Sequence, residues 1–176
     1  MTQISRAHYL EAMTSAIPAI PLHDGTSIPQ LGFGTYLVPP DEAEATVATA
    51  LEVGYRHIDT AQMYGNEAGV GAAIAASGLP REELYVTTKL GNDAHRPEDV
   101  RRTFAESLDR LGLDYLDLFL MHWPLPTRYD GDFVSTWQAM TELLTEGRGR
   151  SGGVSNFEPA HLERIIEATG GIPVVN

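Results

Sequence analysis

Cysteine is absent from the sequence. Disulfide bonds, thiolate catalysis and cysteine-ligated metal are therefore excluded. Positive charge is scarce: 12 Lys and Arg residues stand against 24 Asp and Glu, a formal charge of −12 at pH 7. So acidic a chain lacks the basic face that nucleic acid requires, and an anionic membrane surface would repel it. The acidity reads as a solvated, soluble surface. Long apolar runs are missing too. None approaches the ~18 residues of a membrane-spanning helix. The opening "MTQISRAHYLEAMTSAIPAI" lacks the uninterrupted apolar stretch of a secretory signal. The expectation is a cytoplasmic protein that binds neither nucleic acid nor membrane.

Lysine is nearly absent. Of the 12 basic residues only Lys89 is a lysine, and it sits in "YVTTKL", an apolar and β-branched run. Lysine is a compact point charge, readily perturbed by burial, and not interchangeable with arginine. Lys89 is either a snorkelling strand residue or part of a functional site.

What is present is the composition of a soluble globular protein, 176 residues with 43% hydrophobic, enough for one domain with a real core. Strand-like and helix-like stretches alternate. Strands are predicted over residues 30–36, 55–61, 84–90, 115–123, 148–156 and 172–176. Helices are predicted between them, over 41–54, 66–78, 96–112, 132–147 and 158–171. Asp41 is the expected cap of the first helix, and Gly54 and Gly78 the expected stops of the first two. In the third, Val100, Phe104, Leu108 and Leu111 fall on one stripe. "LDLFLM" is apolar on both faces, as a covered parallel strand must be. Regular βα alternation implies parallel strands joined by right-handed crossovers. Ahead of it, "IPLHDGTSIP" places two short apolar arms around Asp24-Gly25, a hairpin signal.

An open doubly wound sheet and a (β/α)8 barrel both fit this alternation. The polar residues favour the barrel. Asp59, Lys89, His122, Ser155, Asn156 and Asn176 fall at the C-terminal ends of successive strands, where a barrel assembles its site. An open sheet would gather its site at one crevice. "GFGTYLV" has Gly32 and Gly34 but neither a third glycine nor an immediate helix start, which argues against a dinucleotide fingerprint.

Asp59, Tyr64, Lys89 and His122 form a chemically coherent set. An ammonium beside a phenol favours the phenolate and makes the phenol a better acid. An ammonium held away from water needs a counter-ion, which Asp59 can supply. A histidine beside them can orient a substrate oxygen by a hydrogen bond. The result is an acid aimed at a carbonyl oxygen. Reduction would also need a hydride, which no side chain provides and a nicotinamide cofactor does. Each residue also has a structural explanation: Asp59 as a turn cap, Tyr64 as packing, His122 as a core histidine. His57, on the same strand face as Asp59, is expected to be structural.

"GYRHIDTAQMYGNE", "YVTTKL", "DYLDLFLMHWP" and "GGVSNF" together resemble the aldo-keto reductases, in order, from about Ile20 to Asn176. The resemblance implies a (β/α)8 TIM-type barrel that reduces small-molecule carbonyl substrates with NADPH, or with NADH. It implies Asp59, Tyr64, Lys89 and His122 as the catalytic residues, with Tyr64 as general acid. Gly34, Thr35 and Tyr36 would line the start of the cofactor and substrate site. Ser155, Asn156 and Asn176 would hold the nicotinamide carboxamide, and Tyr36 and Trp123 would wall the substrate pocket. The early hairpin is similar to the one that closes the barrel bottom in this family. No metal is implied.

Family members continue beyond the point matched by "GIPVVN". With the resemblance starting at about Ile20, residues 1–19 are expected to be an N-terminal extension, and 20–176 an incomplete barrel of about six strands, in truncated form. Such a barrel would leave open edges suited to self-association. Gly149 and Gly152 depart from the family pattern, and each is expected to weaken its strand by roughly 0.5–1 kcal/mol. Two other readings stay open. A metal-dependent hydrolase barrel would use His57, Asp59, Lys89 and His122, but the sequence has no His-x-His pair and Lys89 would require modification. A non-catalytic barrel relative would bind cofactor or a partner without turnover.

Overall fold

The computed structural model describes residues 17–176. Residues 1–16 of the expected N-terminal extension lie outside the described residues. Two short strands, β1 (Ala19–Pro21) and β2 (Ser27–Pro29), pair antiparallel as the predicted hairpin. Its turn carries Gly25 at φ 87°, and the Asp24 carboxylate accepts from the Thr26 backbone N–H and hydroxyl. The turn also donates structure to the sheet: the Ser151 hydroxyl bonds Asp24 Oδ2 at 2.7 Å.

Five parallel strands follow: β3 (Phe33–Gly34), β4 (His57–Asp59), β5 (Tyr85–Leu90), β6 (Leu116–Met121) and β7 (Gly149–Val154). Between and after them lie α1 (Ala43–Glu52), α2 (Glu67–Ala76), α3 (Pro97–Leu111), α4 (Val134–Thr145) and α5 (Pro159–Thr169). The sheet order is β3-β4-β5-β6-β7, all parallel. Strand order follows sequence order with no reversal, which is how a barrel is wound and not a doubly wound sheet.

The alternation of each strand sorts its residues. Ile58, Val86, Leu90, Phe119, Met121 and Val154 face the helices and are buried in one apolar core. Val100, Phe104, Leu108 and Leu111 of α3 are the predicted stripe, all buried against it. Phe104 meets Phe119 edge-on with centroids 4.9 Å apart. The opposite face carries His57, Asp59, Thr87 and Lys89.

Several boundaries differ from expectation. The strands are shorter than the runs that announce them. Helix α1 is capped by Glu42, not Asp41, and that residue makes no side-chain cap bond. Residues 172–176 do not form a regular strand. They run beside β7 with two backbone hydrogen bonds, Val174 N–H to Gly152 O and Val154 N–H to Val175 O, both at 3.0 Å. Pro173 removes one ladder donor from this segment. The two unexplained glycines have a packing reason: the Leu144 side chain of α4 lies over both, and a Cβ would meet it at 2.8 Å from Gly149 and 2.7 Å from Gly152.

Candidate active site

Asp59 ends β4 and pairs in register with Thr87. Lys89 lies two residues further along β5, on the same face, so its side chain reaches back to Asp59. The ammonium lies 2.8 and 2.7 Å from the Asp59 carboxylate oxygens, and donates to the Thr60 carbonyl at 2.9 Å. It also approaches the Tyr64 hydroxyl at 3.4 Å, a looser contact. Tyr64 reaches this position from a 3-10 turn, Gln62–Tyr64, closed by Gly65 at φ 69°. His122 follows directly on β6, its ring edge-on to Tyr64 with centroids 5.8 Å apart.

Lys89 is buried, and the carboxylate offsets the cost of an ammonium there. Burial holds the His122 imidazole below its ordinary range, and the Lys89 ammonium adds to that effect while Asp59 opposes it. His122 is thus neutral at neutral pH and keeps one ring N–H to donate. Its Nδ1 is buried with no partner among the described residues.

A cleft of about 330 Å³ opens above these groups, lined by Tyr36, Met63, Tyr64, His122, Trp123 and Asn156. Tyr36 stands 5.2 Å from Tyr64, ring to ring. Tyr36 and Trp123 are 67% and 45% exposed, so the cleft has large aromatic walls open to solvent. A larger cavity of about 560 Å³ lies on the flank, among Gln62, Asn92, Arg102, Arg110 and Arg128. It contains none of Asp59, Tyr64, Lys89 or His122, whereas Tyr64 and His122 line the smaller cleft.

The remaining predicted residues fall into distinct settings. The space in front of Gly34 is open. Thr35 is fully buried, with its N–H on the Asp59 carbonyl at 2.9 Å. Asn156, in the left-handed region at φ 62°, donates to the His122 carbonyl at 2.8 Å and to Ser155 Oγ at 3.0 Å. Its side-chain oxygen has no partner among the described residues. The Asn176 amide is engaged by the Phe157 backbone, accepting from its N–H and donating to its carbonyl. Gly34, open at one edge of the sheet, and the Ser155 hydroxyl and Asn156 oxygen, beyond the strand at the other edge, are groups suited to a nicotinamide and its carboxamide. His57 is buried, with Nε2 3.0 Å from the Thr87 hydroxyl and Nδ1 without a partner among the described residues.

Three supporting residues escaped the sequence reading. Glu67 is a buried carboxylate that accepts from the Thr88 hydroxyl at 2.6 Å and from Arg110 Nε at 2.7 Å. It braces the strand residue next to Lys89. At a helix start it looks like an ordinary N-terminal charge. Thr60 and Asn66 link the strand ends, and only their position directly around "AQMYG" hinted at it.

Fold and site together define a parallel β/α protein of barrel type, with an acid–base cluster on the C-terminal rim of its strands. The family model described as "Aldo/keto reductase family" matches residues 30–176, and the chain belongs to that family. It is 51% identical over 159 residues to an aldo-keto reductase of Mycobacterium sp. (strain KMS), covering 90% of this chain and 57% of the relative. It is 45% identical over 180 residues to the D/L-glyceraldehyde reductase of Hypocrea jecorina, covering 89% and 54%. The crystal structure of Bombyx mori aldo-keto reductase in complex with NADP superposes with a TM-score of 0.84 at 43% identity, covering 91% and 57%. The chain thus spans little more than half the length of the curated relatives it matches.

Proposed function

We propose that the protein reduces small aldehydes and ketones to alcohols, with Tyr64 as proton donor and NADPH, or alternatively NADH, as reductant. One observation carries the reading. The only lysine is buried on Asp59 and Thr60 with the Tyr64 hydroxyl 3.4 Å from its nitrogen, beneath an aromatic cleft. A relative named for glyceraldehyde reduction and a structural neighbour holding NADP support it.

Gly34, Tyr36, Ser155 and Asn156 would hold the nicotinamide end, with Thr35, Asp59 and Asn176 supporting them from behind. When bound, the cofactor supplies hydride to the carbonyl carbon. A ring N–H of neutral His122 orients the carbonyl oxygen toward Tyr64. Tyr64 gives that oxygen its proton, and Lys89 stabilises the negative charge left on the phenol oxygen. Asp59 holds the Lys89 ammonium in place. Tyr36 and Trp123 cover the substrate's apolar part.

The test is NADPH consumption with a nitrobenzaldehyde, followed in wild type and in Tyr64→Phe. Wild type should turn over. Tyr64→Phe should lose about 100-fold or more in kcat, with unchanged circular dichroism. Equal rates in the two proteins, or no turnover of any aldehyde by wild type, refute the proposal.

A further inference from the structure

Asn66 stands at the N-cap of α2, where an asparagine ordinarily turns its oxygen to the free N–H groups of the helix. It makes no such bond. Its side chain turns inward instead and is 1% exposed. Oδ1 accepts from the Thr60 hydroxyl at 2.8 Å and the Thr35 hydroxyl at 3.4 Å. Nδ2 donates to the Thr35 carbonyl at 2.9 Å and the Val38 carbonyl at 3.0 Å. Both amide donors are engaged and the oxygen accepts from Thr60, while the single Thr35 hydroxyl hydrogen is shared with the Asp59 carbonyl at 3.2 Å.

These bonds lead to two parts of the site. One arm runs through Thr60, whose carbonyl accepts from Lys89 at 2.9 Å. An ammonium has three hydrogens at fixed angles to one another, on a group that rotates as one. With one on Asp59 and one on the Thr60 carbonyl, the third is left for the Tyr64 hydroxyl. A displaced Thr60 carbonyl would turn that third N–H away. The other arm holds the carbonyls on either side of Tyr36 and Leu37. Leu37 is in the left-handed region at φ 62°, a strained conformation for leucine that its surroundings must maintain.

We propose that Asn66 is a positioning residue, aiming the Lys89 ammonium at Tyr64 through Thr60 and fixing the Tyr36 wall through Thr35 and Val38. The consequences for turnover rest on the carbonyl-reductase reading; the geometry at Lys89 does not. Two variants separate the arms. Thr60→Val cuts only the Lys89 arm, and Asn66→Ala cuts both. Ser77→Ala, which removes the hydroxyl bonding Ile74 O at the far end of α2, is the structural control.

Two measurements decide. This chain has a single lysine, so isotopically labelled lysine gives one side-chain NMR signal, independent of cofactor and turnover. That signal should move in Thr60→Val and in Asn66→Ala, and stay in place in Ser77→Ala. In steady-state assays Thr60→Val should lower kcat about fivefold with KM within about twofold, roughly the worth of one interior hydrogen bond. Asn66→Ala should lower kcat similarly and raise KM about fivefold. The double variant should show no further loss of kcat, since both changes cut one path. An unmoved lysine signal in Thr60→Val overturns the proposal, as does a Ser77→Ala shift of equal size. If Asn66→Ala does not fold, the Thr60→Val signal decides alone. If wild type shows no turnover, the reductase reading falls while the lysine signal still judges Asn66.

Discussion

His95 should make the protein acid-sensitive in a defined window. It lies in the loop after β5, is 2% exposed, and neither ring nitrogen has a partner among the described residues. Its ring stacks on Tyr129 at 5.3 Å and 12°. Burial, helped by the nearby Arg128 charge, pushes its pKa down to about 4. In the unfolded chain the value returns to about 6.5. The unfolded chain therefore takes up the proton first as pH falls. Stability from this site is fully present above about pH 6.5, is lost between there and about pH 4, and falls no further below. The gap corresponds to about 3 kcal/mol. His95→Phe keeps the ring stacked on Tyr129 and removes the titration. Urea unfolding at several pH values between neutrality and pH 4 measures it. Wild type should lose about 3 kcal/mol more than His95→Phe across the window. At neutral pH the variant should be as stable or about 1 kcal/mol more stable, since two buried unpaired nitrogens are gone. His57 and His122 are lowered in the same direction by burial, so the difference between the two proteins is the quantity to read. Parallel stability curves for wild type and variant refute the reasoning.

Other perturbations test the frame around the site. Gly71→Ala places a Cβ 2.4 Å from the Leu111 carbonyl oxygen, where α2 crosses the end of α3. Backbone cannot move aside as a side chain can, so about 2 kcal/mol of stability should be lost in urea unfolding. Gly152→Ala meets only the tip of Leu144, and should cost about 1 kcal/mol or less by the same measurement. Asp117→Ala strips a buried carboxylate from Arg81 at 2.7 Å, Arg150 at 3.2 Å and the Val86 N–H at 2.9 Å. It should destabilise by about 3 kcal/mol, seen as a lower denaturation midpoint. The negative charge near Tyr85 goes with it, and that phenol, raised by burial and by Asp117, should titrate at a lower pH in ultraviolet absorbance.

Much of the fold was written locally. The stripe of Val100, Phe104, Leu108 and Leu111 has one way to bury itself, and "LDLFLM", apolar on both faces apart from Asp117, needs cover on both. Helix stops at Gly78 and Gly112 follow from their left-handed backbone, φ 68° and 64°. The reach of each strand was overestimated because apolar residues continue past the last ladder bond. The 172–176 segment reads as a strand by composition, yet its ladder with β7 is irregular. The identity of Gly149 and Gly152 made no local sense, because the reason is a leucine on another element.

The residues of the site divide along the same line. Sequence by itself determined which chemical groups stand at the strand ends, because alternation and turn chemistry act over a few neighbours. It named Asp59, Tyr64, Lys89 and His122 on that basis. Tertiary structure decided how those groups meet. The stagger of β5 against β4 sets Lys89 over Asp59, and an asparagine outside the cluster turns from its helix to the rim. Such bonds join residues 28 to 31 positions apart, and no local pattern records a hydrogen bond closed only when strands take their register.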